Sequence, residues 1–368
     1  MGKTRYNWID WIKGIACLAV MWGHSRTLVE QMSPLGDILL NHILRPIFSS
    51  GSMMVCLFAI LSGYLASLSV GKRSNLFISV IKRYLRFLLP IFFTGVFVYL
   101  IQISIGFAPL EMRKAIGCNN NIYSYDIPFS KVLFEGTIGV LFYEKTNINS
   151  AFWMMRSLFF GSLVTILLSF LITRCKNKKL PYVLIAVPIA VTVILKDHIT
   201  MSVVLGFLIG YLKKAEALKK LRGKKLNLFL CIFSFFMANW GHHYAYLLVS
   251  KYIMTLPASL DCIAKWLACW MLIFVFSLDN LSVITDRMSH KPIVSMGKQC
   301  MGIYCFHNIS IFTVGVCSMY FFKIRLGFGA DFSFWISLIA VTVVTLLLSY
   351  LFSRFVEKYF EKFISMIK

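Results

Sequence analysis

Acidic residues are scarce in this chain, with 15 Asp and Glu against 38 Lys and Arg in 368 residues and a formal net charge of +23. Charged residues of both signs make up only 14% of it, too few to cover the surface of a water-soluble domain this large. No tandem repeat, low-complexity stretch or Pro/Gly/Ser-rich linker interrupts it, which excludes solenoids and strings of small domains. The ten cysteines show no paired spacing such as C-x-x-C, so neither a disulfide framework nor a thiolate zinc site is expected. Most of them fall inside apolar runs, where cysteine behaves as a small hydrophobe, and only Cys118 lies clearly in a large loop. Met1 to Gly14 lacks a small-residue cleavage site and leads into a long apolar run, so a retained first helix is expected.

What is present is apolar. Hydrophobic residues make up 58% of the chain, in runs at about 9–29, 43–68, 87–105, 151–173, 180–196, 200–212, 226–248, 260–278, 294–321 and 332–355. The expectation is an all-α, polytopic transmembrane helical bundle of about ten spans, forming a single membrane-embedded domain over 1–368. Lys196 and His198 mark a tight turn between the two shortest runs. The basic excess invites a nucleic-acid reading, but Lys and Arg collect in short loops, as the positive-inside rule requires of a membrane protein. Lys72, Arg73, Lys82, Arg83 and Arg86 follow the second run, and Lys213 to Lys225 follow the sixth. With Lys3, Arg5, Arg287, Lys291, Lys298 and the basic tail, this places both termini in the cytoplasm and suits the 213–225 cluster to anionic lipid. The long segment at about 106–150 is then external. Its aromatics (Tyr123, Tyr125, Phe129, Phe134, Phe142, Tyr143) point to a folded lid anchored at the interface.

Ionisable residues inside apolar runs are costly and by default functional. The first run holds Lys13 and His24, eleven residues apart: three helical turns plus about 20°, so one face, and about 16 Å along the axis. Asp10 lies on the same stripe, too far from His24 to orient its ring and placed to pair with Lys13. Arg83 and Arg86, three apart, share a helix face and suit phosphate or pyrophosphate, although on these residues alone ordinary positive-inside charge is the favoured reading. His307 lies about 18 Å into its run from Ser295. Orienting His24, binding an acceptor, polarising a carbonyl and a plain structural hydrogen bond all remain open for it. Arg156 reads as a buried cation near the outer end of the fourth run, and Glu357 as an ion-pair partner for an arginine of the third. Ser62-Gly63 reads as a close-packing point. His242 and His243, beside Trp240 and Tyr244, read as interfacial.

Six segments in order resemble the acyltransferase-3 family of integral membrane acyltransferases. They are Ile9-Asp10-Trp11-Ile12-Lys13-Gly14-Ile15-Ala16 ending in Trp22-Gly23-His24-Ser25; Phe58 to Leu65, like F-x-x-x-S-G-[FY]; and Arg83-Tyr84-Leu85-Arg86, like R-x-x-R. Phe152-Trp153 to Leu158 follows, then Ser295-Met296-Gly297 to Tyr304-Cys305-Phe306-His307, like S-x-G…Y-x-x-H. Last comes Ser353 to Lys358, after which the family's usual proline is Tyr359 here.

The resemblance implies transfer of an acyl group, often acetyl, from a cytoplasmic acyl-CoA donor such as acetyl-CoA to a glycan or lipid-linked saccharide acceptor handled across the membrane. It implies that His24 is the essential histidine, that Arg83 and Arg86 engage the donor, and that Lys13 stands where the family usually has arginine. Lysine offers a point charge without the bidentate fork. In this scheme His307 is a second catalytic candidate, Arg156 an acceptor-side contact, and no metal is expected. The location is the cytoplasmic (inner) membrane, with membrane lipid as a partner and a homo-oligomer left open. A neutral imidazole at His24 can act as general base or carry the acyl group itself; the sequence leaves both open. The rival reading is a transporter or flippase using intramembrane charge as a pathway. It calls for matching halves with Gly/Pro-broken helices, which are not evident, and the charges cluster instead at the inner ends of the first, third and last runs.

Overall fold

A computed structural model describes residues 7–29, 31–48, 51–68, 70, 75–177, 179–214, 223–241, 258–278 and 291–367. Lys3, Arg5, Lys72, Arg73, Lys219, Lys220, Arg222, His242, His243, Tyr244, Arg287 and Lys368 lie outside the described residues. Every regular element among the described residues is helical. The main helices are α1 (Asn7–Ser25), α2 (Gly51–Ser67), α3 (Leu76–Ser104), α4 (Leu110–Ile116), α5 (Phe129–Phe134), α6 (Met155–Ile172) and α7 (Leu180–Ile194). They continue with α8 (His198–Lys214), α9 (Lys224–Phe236), α10 (Ala258–Ser277), α11 (Lys291–Lys298), α12 (Cys300–Ser310), α13 (Ala330–Phe352) and α14 (Lys358–Met366).

Among the described residues, four helical stretches are long and apolar enough to cross a membrane: Leu76–Ser104, Ser150–Ile172, Cys300–Arg325 and Ala330–Met366. Shorter apolar helices cover Gly51–Ser67, Leu180–Ile194, Lys225–Asn239 and Lys265–Ser277. The apolar runs all carry helix, with bounds that differ for physical reasons. The second run begins as a π turn (Leu39–Ile43) and a short helix (Arg45–Phe48) before α2, because Pro46 lacks the N–H needed to continue the earlier helix. The third helix starts eleven residues before its apolar stretch, so Arg83 and Arg86 lie inside it. Hydropathy marks where apolar surface begins, not where backbone hydrogen bonding begins. The expected tight turn after α7 is present, with Lys196 left-handed at φ 56°.

Cα proximity groups the chain into two units. The first comprises Met1–Ile9, Ser52–Arg83 and Ser157–His290. Here α2 and α8 touch backbone to backbone: a Cβ at Gly63 would strike the Val203 carbonyl, and one at Gly206 would strike that of Ile60. Ser62-Gly63 is therefore a packing point, as its small side chains predict. An apolar cluster of Leu168, Ile172, Ile185, Val204 and Phe207 joins α6, α7 and α8.

The second unit comprises Asp10–Gly51, Tyr84–Arg156 and Lys291–Lys368. Its long inter-helix segment is folded around two buried charges. Arg113, 1% exposed, donates from Nε to the Ala108 carbonyl at 2.8 Å and from Nη1 to that of Ile122, and lies 5.1 Å from the Phe312 ring centroid. Glu135, also 1% exposed, accepts from the Ile148 N–H at 3.0 Å and from the Asn147 amide. Tyr123 stacks on Phe107 at 4.2 Å, while Tyr125, Phe129, Phe134, Phe142 and Tyr143 remain exposed.

Candidate active site

The site in the second unit starts from glycine. A Cβ on Gly297 would collide with the Asp10 carbonyl oxygen, and one on Gly14 with the Ile293 carbonyl, so α1 and α11 meet along their backbones. One turn on, the Cys17 thiol donates to the Cys300 carbonyl at 3.4 Å. Seven residues further on both chains, the rings of His24 and His307 lie with centroids 5.2 Å apart. Positions 17 and 24 thus meet 300 and 307 in ascending order, so α1 runs parallel to α12, while the 10–297 and 14–293 contacts mark the point where α1 crosses α11. The thiol contact lies about 10 Å along the helix from the histidine pair.

The two histidines differ. His24, in the last turn of α1, is exposed. His307 is fully buried, and its Nδ1 lies 3.2 Å from the Ile303 carbonyl. A carbonyl only accepts, so Nδ1 carries the proton and Nε2 the lone pair. That Nε2 is buried and has no hydrogen-bond partner among the described residues. A buried acceptor left open beside a second imidazole is costly unless a proton from substrate or water satisfies it.

Other contacts fix the His307 helix. Gly302 lets α12 approach α13, where Ser349 Oγ donates to the Gln299 carbonyl at 2.9 Å. On another side, fully buried Asn149 donates to the Cys305 carbonyl at 2.8 Å and accepts from Asn308 Nδ2 at 3.1 Å. The same Asn308 amide donates to Ser150 Oγ at 3.0 Å, and the Tyr304 hydroxyl donates to the Ala151 carbonyl. Sequence reasoning missed Asn149, Asn308 and Tyr304 as a group. Their trace in the sequence is slight: Tyr304 and Asn308 flank Cys305 to His307, and Asn149 lies just ahead of the fourth run.

The remaining candidates are placed as follows. Lys13 is half-buried on the α1 face that carries Cys17, one turn before it. Within the first unit, Arg83 Nη2 donates to Ser62 Oγ at 3.2 Å, tying the R-x-x-R and S-G segments together. Arg86 grips Glu361 bidentately, Nε to Oε1 at 2.8 Å and Nη2 to Oε2 at 2.9 Å, with both side chains 46% exposed. The acidic partner of this arginine is thus Glu361 and not the expected Glu357, which lies one helical turn earlier on the same face. Arg156 is not the buried cation expected. It is exposed and pairs with Glu144 at 3.3 Å, since it sits in the first turn of α6 where the end of the inter-helix segment reaches it.

The chain matches the family model described as an acyltransferase domain (acyltransferase-3) over residues 6–354, nearly its whole length, and belongs to that family. It is a membrane acyltransferase by this membership and by its apolar helices. No curated protein and no solved structure matches it.

Proposed function

We propose that this acyltransferase moves an acyl group, acetyl in the first instance, from cytoplasmic acyl-CoA to a hydroxyl of a cell-surface polysaccharide or lipid-linked glycan. It works in the cytoplasmic membrane, crossing it about ten times with both termini inside. The observation that carries this reading is the His24–His307 pair, with the lone pair of His307 Nε2 unclaimed. An acceptor hydroxyl bonded to an imidazole there loses its proton as its oxygen attacks the thioester carbonyl. The carbon–sulfur bond then breaks, and the coenzyme thiolate recovers the proton from the imidazolium. Lys13, Arg83 and Arg86 supply the cationic path for the nucleotide phosphates, the two arginines as planar forks and the lysine as a point charge. Arg156 and the exposed aromatic segment lie on the acceptor side, where ring faces can stack on sugars. Comparison of the surface-glycan mass in cells with and without the gene tests this. Loss of acetyl-sized increments on deletion supports the proposal; an unchanged glycan and unchanged lipid-linked saccharides contradict it.

A further inference from the structure

The inter-helix segment does more than cover the bundle: its last residues hold the helix turn that carries His307. We propose that Asn149 is the positioning residue for His307, acting through Asn308 and the Cys305 carbonyl. This rests on His307 taking part in the transfer proposed above.

The geometry carries it. Asn149 is fully buried, and two of its three amide contacts reach this turn. Its Nδ2 donates to the Cys305 carbonyl, and its Oδ1 accepts from Asn308 Nδ2 and, at 3.0 Å, from the Ala151 N–H. Cys305 and Asn308 lie two before and one after His307, so the amide grips both sides of the residue. The hydroxyl of Tyr304, whose ring lies 5.8 Å from that of His307, donates to the Ala151 carbonyl, a second tie to the same three-residue stretch. That stretch is where the inter-helix segment ends and the helix carrying Arg156 begins. An amide is suited to this task because it donates and accepts at once; a carboxylate of the same size keeps only the accepting half.

The consequence concerns orientation. Among the described residues, the His307 ring is bonded to backbone of its own helix turn, Ile303 included, so its ring direction depends on where that turn sits. Removing the Asn149 amide frees Asn308 Nδ2 from one acceptor and leaves the Cys305 carbonyl without its side-chain donor. The turn relaxes and Nε2 swings from its place, at a cost to rate; a misplacement of about 1 Å at a reacting group lowers rate on the order of a hundredfold.

The test compares the wild type with Asn149→Ala, Asn149→Asp and His307→Gln in proteoliposomes, with two readouts. The first is the histidine nitrogen spectrum of isotope-labelled protein, the His307 signal being the one lost in His307→Gln. A single Nδ1-protonated signal is expected in the wild type, mixed or broadened tautomers in Asn149→Ala, and a spectrum between the two in Asn149→Asp. The second is turnover of labelled acetyl-CoA, where kcat falls at least about tenfold in Asn149→Ala, less in Asn149→Asp, with donor KM within about twofold. A His307 signal identical in wild type and Asn149→Ala overturns the inference whatever the kinetics. An altered signal with unchanged kcat leaves Asn149 as the positioning residue and removes His307 from the chemistry instead.

Discussion

Gly297 rests its backbone directly on the carbonyl of Asp10, an approach that any side chain at 297 would prevent. This contact sets the register in which Cys17 meets Cys300 and His24 meets His307. Gly297→Ala must therefore push α11 and α12 away from α1, at about 1–3 kcal/mol for an overpacked contact. The expected outcome is a lower thermal midpoint in detergent and lost acyl transfer. Gly329→Ala, where a Cβ would meet nothing within 4 Å, is the control and should leave both unchanged. A Gly297→Ala protein as stable and active as its parent would remove the backbone contact as the element that sets the register.

Arg86 and Glu361 form an exposed bidentate pair, so the pair adds little stability, about 0–1 kcal/mol after solvent screening. Its consequence lies with the donor, because Glu361 occupies the Nε edge that a phosphate would use. Glu361→Gln should lower the KM for acetyl-CoA and leave kcat and the thermal midpoint nearly unchanged. Arg86→Ala should raise the same KM and leave acceptor KM alone. Steady-state kinetics at low and high salt check both, with the difference between variants shrinking as salt rises.

Arg113 anchors four carbonyls of the long segment from a buried position, and Cys118 is buried beside it. Burial raises the Cys118 thiol above its usual range, with the Asn120 backbone and the Arg113 charge working the other way. A raised thiol holds less thiolate at neutral pH, so alkylation is slow there and quickens as pH climbs towards the raised value. Intact cells treated with an impermeant maleimide should show Cys118 unlabelled at neutral pH. Arg113→Ala should expose it and speed labelling at least about tenfold, since several buried carbonyls lose their donor. Arg113→Lys should rescue only in part, because an ammonium cannot fan across carbonyls in several directions.

Much of this architecture can be read in the residues, and the reasons for the exceptions are local. Apolar runs located the helices because lipid-facing and packed surfaces are both apolar, yet the run at 87–105 left out the first eleven residues of α3, a largely apolar stretch interrupted by Lys82, Arg83 and Arg86. Lys13 and His24 stood out because charge in an apolar run is rare, and the S-x-G and Y-x-x-H spacing placed His307 on a helix that the structure brings against α1. Arg156 misled because an arginine beside an apolar run looks buried, while its Glu144 partner sits in a loop whose path no periodicity encodes. Glu361 was missed because it shares a helix face with Glu357, and which turn of that face meets Arg86 depends on a tertiary placement no periodicity encodes. Asn149 and Asn308 were silent because their significance lies wholly in meeting each other across 159 positions of sequence.

The central claim is that the His24 and His307 imidazoles carry the acyl transfer. Its most direct test is turnover of labelled acetyl-CoA by purified protein in proteoliposomes supplied with envelope saccharide. His24→Ala, His307→Gln and the double variant would be compared at matched folding. The account predicts that each single change lowers kcat by ~10²–10⁴, as removal of a general acid–base does, with the double variant little worse than the weaker single one. Wild-type turnover in His24→Ala, in protein that folds and binds donor normally, would contradict it.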